Sequence, residues 1–185
     1  MKDNKTDAEN ALVPDDSAVS SSDTQKKLIQ RGQVDIHTHQ TAAGYLKDGA
    51  DALNARNYPK AIEAFQEAIQ HNQASAEAHF HLGLARFMLG DYEKAIDAYK
   101  MAVACEPSEP TAHLNLAATY RLLKRYDEAI EVYTRAISFL PNHPELHSEL
   151  GKVYTFQGKR REAVNAYKTA IQIKLKLQLD SDGNP

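Results

Sequence analysis

Histidine is the side chain with the most chemistry to offer in this sequence, which contains eight histidines and a single cysteine. His37 and His39 are two residues apart, and so are His79 and His81. Side chains two residues apart on a helix point to different sides, so His79 and His81 cannot easily share a metal ion. His37 and His39 precede the clearly helical part of the sequence, where any metal contact would be unspecific. We therefore predict no metal site.

Three histidines recur at one fixed interval, namely His79, His113 and His147, and Tyr45 occupies the same place one interval earlier. Because a ligand set needs side chains that converge on one point, an evenly spaced series favours a repeated structural role. We predict that these rings are packed or hydrogen-bonded side chains.

The sequence carries no signature of catalysis. Cys105 has no basic neighbour in the sequence that would lower its thiol pKa, so it is interpreted as a small core residue. The chain has no glycine-rich phosphate loop, no Gly-x-Ser-x-Gly motif and no His-Glu-x-x-His motif. Acidic residues such as Glu93, Asp97, Glu128 and Glu131 alternate with Lys and Arg in the manner of a solvated surface. We predict neither enzyme activity nor a cofactor.

The charge and the apolar runs of the chain argue against nucleic acid and membrane partners. A net charge of -3 over 185 residues gives no electrostatic reason to expect nucleic acid binding. No run approaches the ~18 apolar residues of a membrane span, and no basic segment followed by an apolar run opens the chain. A lone cysteine excludes a disulfide within the chain and fits a reducing compartment. The expectation is a cytoplasmic protein without membrane insertion.

A sequence pattern returns every 34 residues, in the windows 42–75, 76–109, 110–143 and 144–177. Such a period marks stacked repeats. The helices that this pattern predicts position the residues named above. In the second window the pattern predicts one helix over Ala76–Leu89 and another over Tyr92–Cys105. Gly90 between them can take positive φ, and Asp91 is expected to cap the second helix.

Small residues recur at some fixed places of the four windows, and large residues recur at others. The small ones allow close helix approach: Gly49, Gly83, Ala117 and Gly151; Ala61, Ala95, Ala129 and Ala163; Ala68, Ala102, Ala136 and Ala170. The large ones are expected to fill the layer between the helices: Phe65, Tyr99, Tyr133 and Tyr167, with Ile62, Ile96, Ile130 and Val164. One hairpin cannot bury such a face alone, so each must stack on its neighbours.

This layout resembles the tetratricopeptide repeat. The resemblance is carried in the second window by Leu82, Gly83, Gly90, Tyr92, Ala95, Tyr99, Ala102 and Pro107, and in the third by Leu116, Tyr120, Tyr126, Ala129, Tyr133, Ala136 and Pro141. The outer windows depart from the pattern at Asp48, Gln73, Arg160 and Leu175, as terminal repeats do. The resemblance implies an all-α, right-handed superhelical solenoid of four antiparallel helix hairpins.

The resemblance also implies that the first helix of each hairpin lines a concave groove that holds a peptide or helix of a partner protein. The second window has an apolar stripe that its own hairpin partner does not need, which favours this interpretation. The predicted groove residues are Leu46, Ala50, Leu53, Phe80, Leu84, Phe87, Met88, Leu114, Asn115, Arg121, Leu122, Lys152 and Phe156. Part of this stripe could instead be core between repeats.

One binding mode of the family does not fit the sequence. Relatives that bind chaperone C-termini hold the terminal carboxylate with Lys, Asn and Arg on successive first helices. Here Asn115 matches the middle Asn, but Phe80, Leu84, Glu145 and Glu149 stand at the other places. We therefore predict a largely apolar groove without a carboxylate clamp.

The two ends of the chain carry separate predictions. Residues 1–24 are expected to be a disordered tail, and residues 25–41 a linker or short helix. At the other end, the last helix is expected to continue to about Leu179, into the final segment 178–185. A weak homodimer through Ile173, Leu175, Leu177 and Leu179 would then be an alternative function, beside a secretion or assembly chaperone.

Overall fold

The computed structural model describes residues 41–181, and within that range it contains helices and turns without a strand. The helices are α1 at residues 41–54, α2 Tyr58–His71, α3 Ala76–Leu89, α4 Tyr92–Cys105, α5 Pro110–Leu122, α6 Tyr126–Phe139, α7 Pro144–Phe156 and α8 Arg160–Ser181. The bounds of α3 and α4 are those that the sequence predicts. The predictions for residues 1–24 and 25–40, with His37 and His39, lie outside the described residues.

Successive helices pack as hairpins, and the hairpins stack on one another. α3 packs on α4, α5 on α6 and α7 on α8, while α2, α4 and α6 each contact the first helix of the next hairpin. The predicted all-α fold of stacked helix hairpins is therefore confirmed.

The turn within each hairpin places one residue at positive φ. This residue is Arg56 (57°), Gly90 (88°), Lys124 (60°) and Gly158 (74°) in the four repeats. The prediction for Gly90 is confirmed. Side chains other than glycine are strained in this region by roughly 1–2 kcal/mol, so Arg56 and Lys124 show that the turn itself imposes the conformation.

The helix starts agree with the sequence at Ser75, Pro110 and Pro144, and disagree at Asp91. The Ser75 Oγ accepts a hydrogen bond from the Ala78 N–H at 3.1 Å, and Pro110 and Pro144 begin α5 and α7. The prediction for Asp91 was wrong, because its side chain makes no capping hydrogen bond. It pairs instead with the Lys94 ammonium at 3.4 Å.

Close approach within a hairpin depends on the missing side chain of Gly83. A Cβ at this position would lie 2.6 Å from a ring carbon of Tyr99, and Gly49 and Gly151 meet the rings of Phe65 and Tyr167 in the same way. The aromatic ring of the second helix thus lies directly on the backbone of the first.

We expect Gly83→Ala to destabilise the protein by about 1–3 kcal/mol, because the buried Tyr99 ring would have to move. Urea unfolding followed by circular dichroism measures the loss. Gly44→Ala is the matched control, since no atom lies within 4 Å of an added Cβ there. That control should be neutral or stabilising by up to ~1 kcal/mol, and equal losses in both variants would contradict the proposed contact.

The buried apolar residues of the described range form two clusters. One joins the first two repeats through Phe65, Leu82 and neighbouring alanines, and the other extends from Ala95 on α4 to Val153 on α7. Val164 was predicted to belong to the buried layer, and this was wrong, since its side chain is 63% exposed whereas the equivalent Ile96 is 2% exposed. α5 covers Ile96, whereas no later hairpin among residues 41–181 covers Val164.

Candidate functional site

The three periodic histidines tie each first helix to the turn that precedes it. The Nε2 atoms of His79, His113 and His147 lie 3.0, 2.9 and 3.0 Å from the backbone carbonyl oxygens of Gln73, Pro107 and Pro141. Each carbonyl precedes its histidine by six residues, so the contact is repeated with the fold. The prediction of a structural role for these rings is confirmed.

The remaining candidates for chemistry are dispersed. Cys105 is the last residue of α4 and is half-buried, so it is less enclosed than the predicted core position. Among residues 41–181, no group of three or more His, Cys, Asp or Glu side chains has the arrangement of a metal site. Within the same range, no helix is both long and apolar enough to cross a membrane.

The predicted groove residues lie on the first helices and differ in exposure. Nine are half-buried: Leu46, Ala50, Leu53, Phe80, Leu84, Phe87, Leu114, Asn115 and Arg121; four are exposed: Met88, Leu122, Lys152 and Phe156. Five of the half-buried residues pack against a core cluster: Leu46, Leu53, Phe80, Phe87 and Leu114. These five residues are therefore partly core between repeats and partly accessible surface.

α5 and α7 lie side by side, and this arrangement brings two groove residues, Arg121 and Phe156, near one another. The Arg121 guanidinium lies 5.8 Å from the centre of the Phe156 ring, and Phe156 stacks on Tyr126 at 6.0 Å. The Arg121 Nε is buried and has no hydrogen-bond partner among the described residues. On α7, Lys152 forms an ion pair with Glu149.

A buried tyrosine lies close to the same charged residues. Burial raises the pKa of Tyr133, and the nearby Glu149 carboxylate raises it further. The Tyr133 hydroxyl is buried and finds no hydrogen-bond partner within residues 41–181. An unpaired hydroxyl in the core is unfavourable, so this group is a polar feature that packing alone does not explain.

A cleft of about 270 Å³ lies beside the groove where α3 and α5 begin. Phe80, Ala102 and Ala112 form its apolar lining, and Glu77, Glu106 and Glu109 supply carboxylates. Within the described residues these three carboxylates take part in no salt bridge. An apolar wall beside carboxylates that have no cationic partner suits a side chain with an apolar stem and a positive end.

Another aromatic contact in this region involves His81. Its ring stacks on Phe65 at 5.4 Å and meets Phe80 edge-on at 5.2 Å. Burial lowers the pKa of His81, which the charge of Glu77 only partly opposes. His81 is therefore mainly neutral near pH 7 and adds no positive charge beside the carboxylates.

Sequence reasoning missed an ion-pair network on the second helices. Arg125 contacts Glu128 at 2.7 Å and Glu93 of the preceding repeat at 3.2 Å, and its guanidinium lies 4.7 Å from the centre of the Tyr120 ring. Glu93 and Arg125 are 32 residues apart. In the sequence these charges look like parts of a solvated surface. A search for ion pairs three or four residues apart on one helix could not find the contact between Glu93 and Arg125.

Comparisons with known proteins give consistent results. Two sequence models of the tetratricopeptide repeat family match the chain, at residues 46–110 and 108–176. A crystal structure of MamA matches with a TM-score of 0.68 and 29% sequence identity, covering 83% of this chain and 86% of that chain. A second MamA crystal structure gives 0.67 and 28%, covering 83% and 90%.

A further solved structure is the first tetratricopeptide repeat domain of Spaghetti (RPAP3) bound to the HSP90 peptide SRMEEVD. It matches with a TM-score of 0.58 and 23% identity, over 64% of this chain and 97% of that chain, and shows the fold alone. A search of curated proteins found no significant match.

Proposed function

We propose that this chain, which belongs to the tetratricopeptide repeat family, is an adaptor that binds a peptide or helix of a partner protein along α1, α3, α5 and α7. Its fold and its tetratricopeptide repeat neighbours support a protein-interaction scaffold. The finer assignment of the binding surface rests on the first helices, whose side chains remain partly accessible after the repeats have stacked.

The observation that carries the proposal is the second apolar stripe of α3. Ala78, Leu82 and Ala85 are buried and satisfy the packing between repeats. Phe80, Leu84 and Phe87 are only half-buried, and Met88 is 50% exposed. A contiguous apolar surface that stays accessible after the repeats have stacked is typical of a binding site.

The charges favour one chemical class of partner. Glu77, Glu106 and Glu109 lie in the cleft beside Phe80, and Glu145 is exposed at the start of α7 without a salt bridge among the described residues. A segment with apolar anchor residues and a Lys or Arg side chain at this edge would match both features. An acidic C-terminus would not, because Phe80 and Leu84 replace the Lys and Asn of a carboxylate clamp, and Glu145 and Glu149 replace its Lys and Arg.

A matched pair of methionines tests the groove. Met88 on α3 and Met101 on α4 have nearly equal exposure, 50% and 48%, so replacing either by glutamine makes the same chemical change. Peptides selected from a random library on the native protein should be rich in apolar and basic residues. Met88→Gln should weaken their binding about fivefold to tenfold, measured by calorimetry, while Met101→Gln leaves it within about twofold.

Equal effects of the two methionine substitutions would refute the groove. Enrichment of acidic peptides would refute the assigned partner chemistry and leave the adaptor function standing. Selection of no peptide at all would count against the adaptor itself.

A further inference from the structure

Within residues 41–181, no helix covers the outer face of α8, although the corresponding face of every earlier second helix is covered. Two places in the repeat define this face. The first is held by Ile62, Ile96, Ile130 and Val164, and the second by Ile69, Val103, Ile137 and Ile171. In the first three repeats all six residues belong to a core cluster or pack against one. In α8 the two equivalents are 63% and 59% exposed.

The apolar face continues along the rest of α8. Val164, Ile171, Leu175 and Leu179 fall within roughly 80° of one another on a helix with ~100° per residue, and all four are exposed. Ile173 and Leu177 lie on the other side, in line with the buried Ala163, Ala166 and Ala170 that face α7. The exposed leucines of α8 therefore belong to two faces, and only the outer face continues the stacking surface of the repeats.

The opposite end of the stack does not complement this face. Each first helix contacts the preceding repeat through three places, which hold Ala78, Leu82 and Ala85 in α3 and Leu146, Leu150 and Val153 in α7, all buried. In α1 the same places hold Gly44, Asp48 and Asp51, all exposed. Head-to-tail stacking would bury two carboxylates against Val164 and Ile171, which is strongly unfavourable unless the carboxylates are paired.

We propose that the outer face of α8, defined by Val164, Ile171, Leu175 and Leu179, binds the same face of a second copy of this chain about a two-fold axis. Pairing α8 with α8 places apolar side chains against apolar side chains and closes the assembly at two copies. Lys168, on the same stripe and exposed, can lay its stem along the interface and keep its ammonium in water.

The dimer is expected to be weak. A patch built from four side chains is of the few-hundred-Å² size, and a standard stable interface buries about 800 Å² per partner. We therefore expect monomer–dimer exchange at roughly tens of micromolar. The outer face of α8 is separate from the groove of the first helices.

Sedimentation equilibrium of the full chain tests the face. The native protein should shift toward the dimer mass as concentration rises, and Ile171→Glu with Leu175→Glu should raise the dissociation constant at least tenfold. Leu177→Glu is the control, because Leu177 is similarly exposed at 49% but lies on the other face. A native protein that remains monomeric overturns the proposal, as does a Leu177→Glu variant that dissociates as readily as the double variant.

Cysteine cross-linking tests the symmetry. In a Cys105→Ser background, Gln172→Cys places a thiol beside the face, and Asp48→Cys places one on the exposed side of α1. A bifunctional thiol reagent should join Gln172→Cys to itself, because a two-fold axis brings equivalent residues together. Cross-links that form only in a mixture of the two variants would show head-to-tail stacking and overturn the two-fold arrangement. Neither experiment depends on the groove, so the adaptor function stands or falls separately.

Discussion

Tyr99→Ala is expected to lower the free energy of unfolding by about 3–5 kcal/mol, the loss typical of a fully buried aromatic side chain. The Tyr99 ring is 1% exposed and lies against the backbone of Gly83. It also contacts Phe80, with ring centres 5.9 Å apart. Its removal would leave a cavity between α3 and α4, and the two helices can close this cavity only in part.

Urea unfolding should be followed by circular dichroism and by tyrosine fluorescence, since the chain has nine tyrosines and no tryptophan. Agreement of the two transitions supports a single cooperative step. A loss below ~1 kcal/mol for Tyr99→Ala would contradict the packing described for the hairpin.

Tyr133→Phe is the informative comparison. It keeps the ring and removes a hydroxyl that has no hydrogen-bond partner among the described residues. The substitution should therefore be neutral or slightly stabilising. Tyr99 and Tyr133 hold the same place in successive repeats, so the two variants compare the removal of a whole ring with the removal of a hydroxyl alone.

The fold could be predicted in detail because one signal was repeated four times. The recurring Gly83 and Tyr99 positions describe a contact between two helices, and their recurrence in phase fixes the register of the stack. The prediction for Asp91 rested on one residue and not on a repeated signal. It was wrong because the capping propensity of Asp does not account for its ion pair with Lys94. Positive φ at Arg56 and Lys124 was likewise missed, since neither residue type favours that conformation.

The candidate site could be predicted less fully, for a physical reason. Apolar residues four apart on a first helix look the same in sequence whether they face a neighbouring repeat or solvent. Phe80 packs partly against the core and Met88 is exposed, yet both belong to one predicted stripe. Val164 shows the converse, because its periodic position predicts burial but no following hairpin within residues 41–181 covers it.

His113→Ala is expected to lower the free energy of unfolding by about 2–4 kcal/mol, through a lost hydrogen bond and a cavity. The His113 Nε2–H donates to the Pro107 carbonyl oxygen at 2.9 Å, and the ring is 1% exposed. His147→Ala is the matched control, because it removes the same kind of bond at a half-buried position. We expect a smaller loss there, about 1 kcal/mol.

The same variants distinguish the structural role of these histidines from metal binding. Among residues 41–181, no group of three or more His, Cys, Asp or Glu side chains is arranged to hold a metal ion around these rings, so adding Zn²⁺ should leave the melting temperatures of the native protein and both variants unchanged. His113→Phe should recover most of the stability lost in His113→Ala, because it restores the volume without the hydrogen bond. A rise in native melting temperature with Zn²⁺ that His113→Phe abolishes would show that this ring is a ligand and not a tie between repeats.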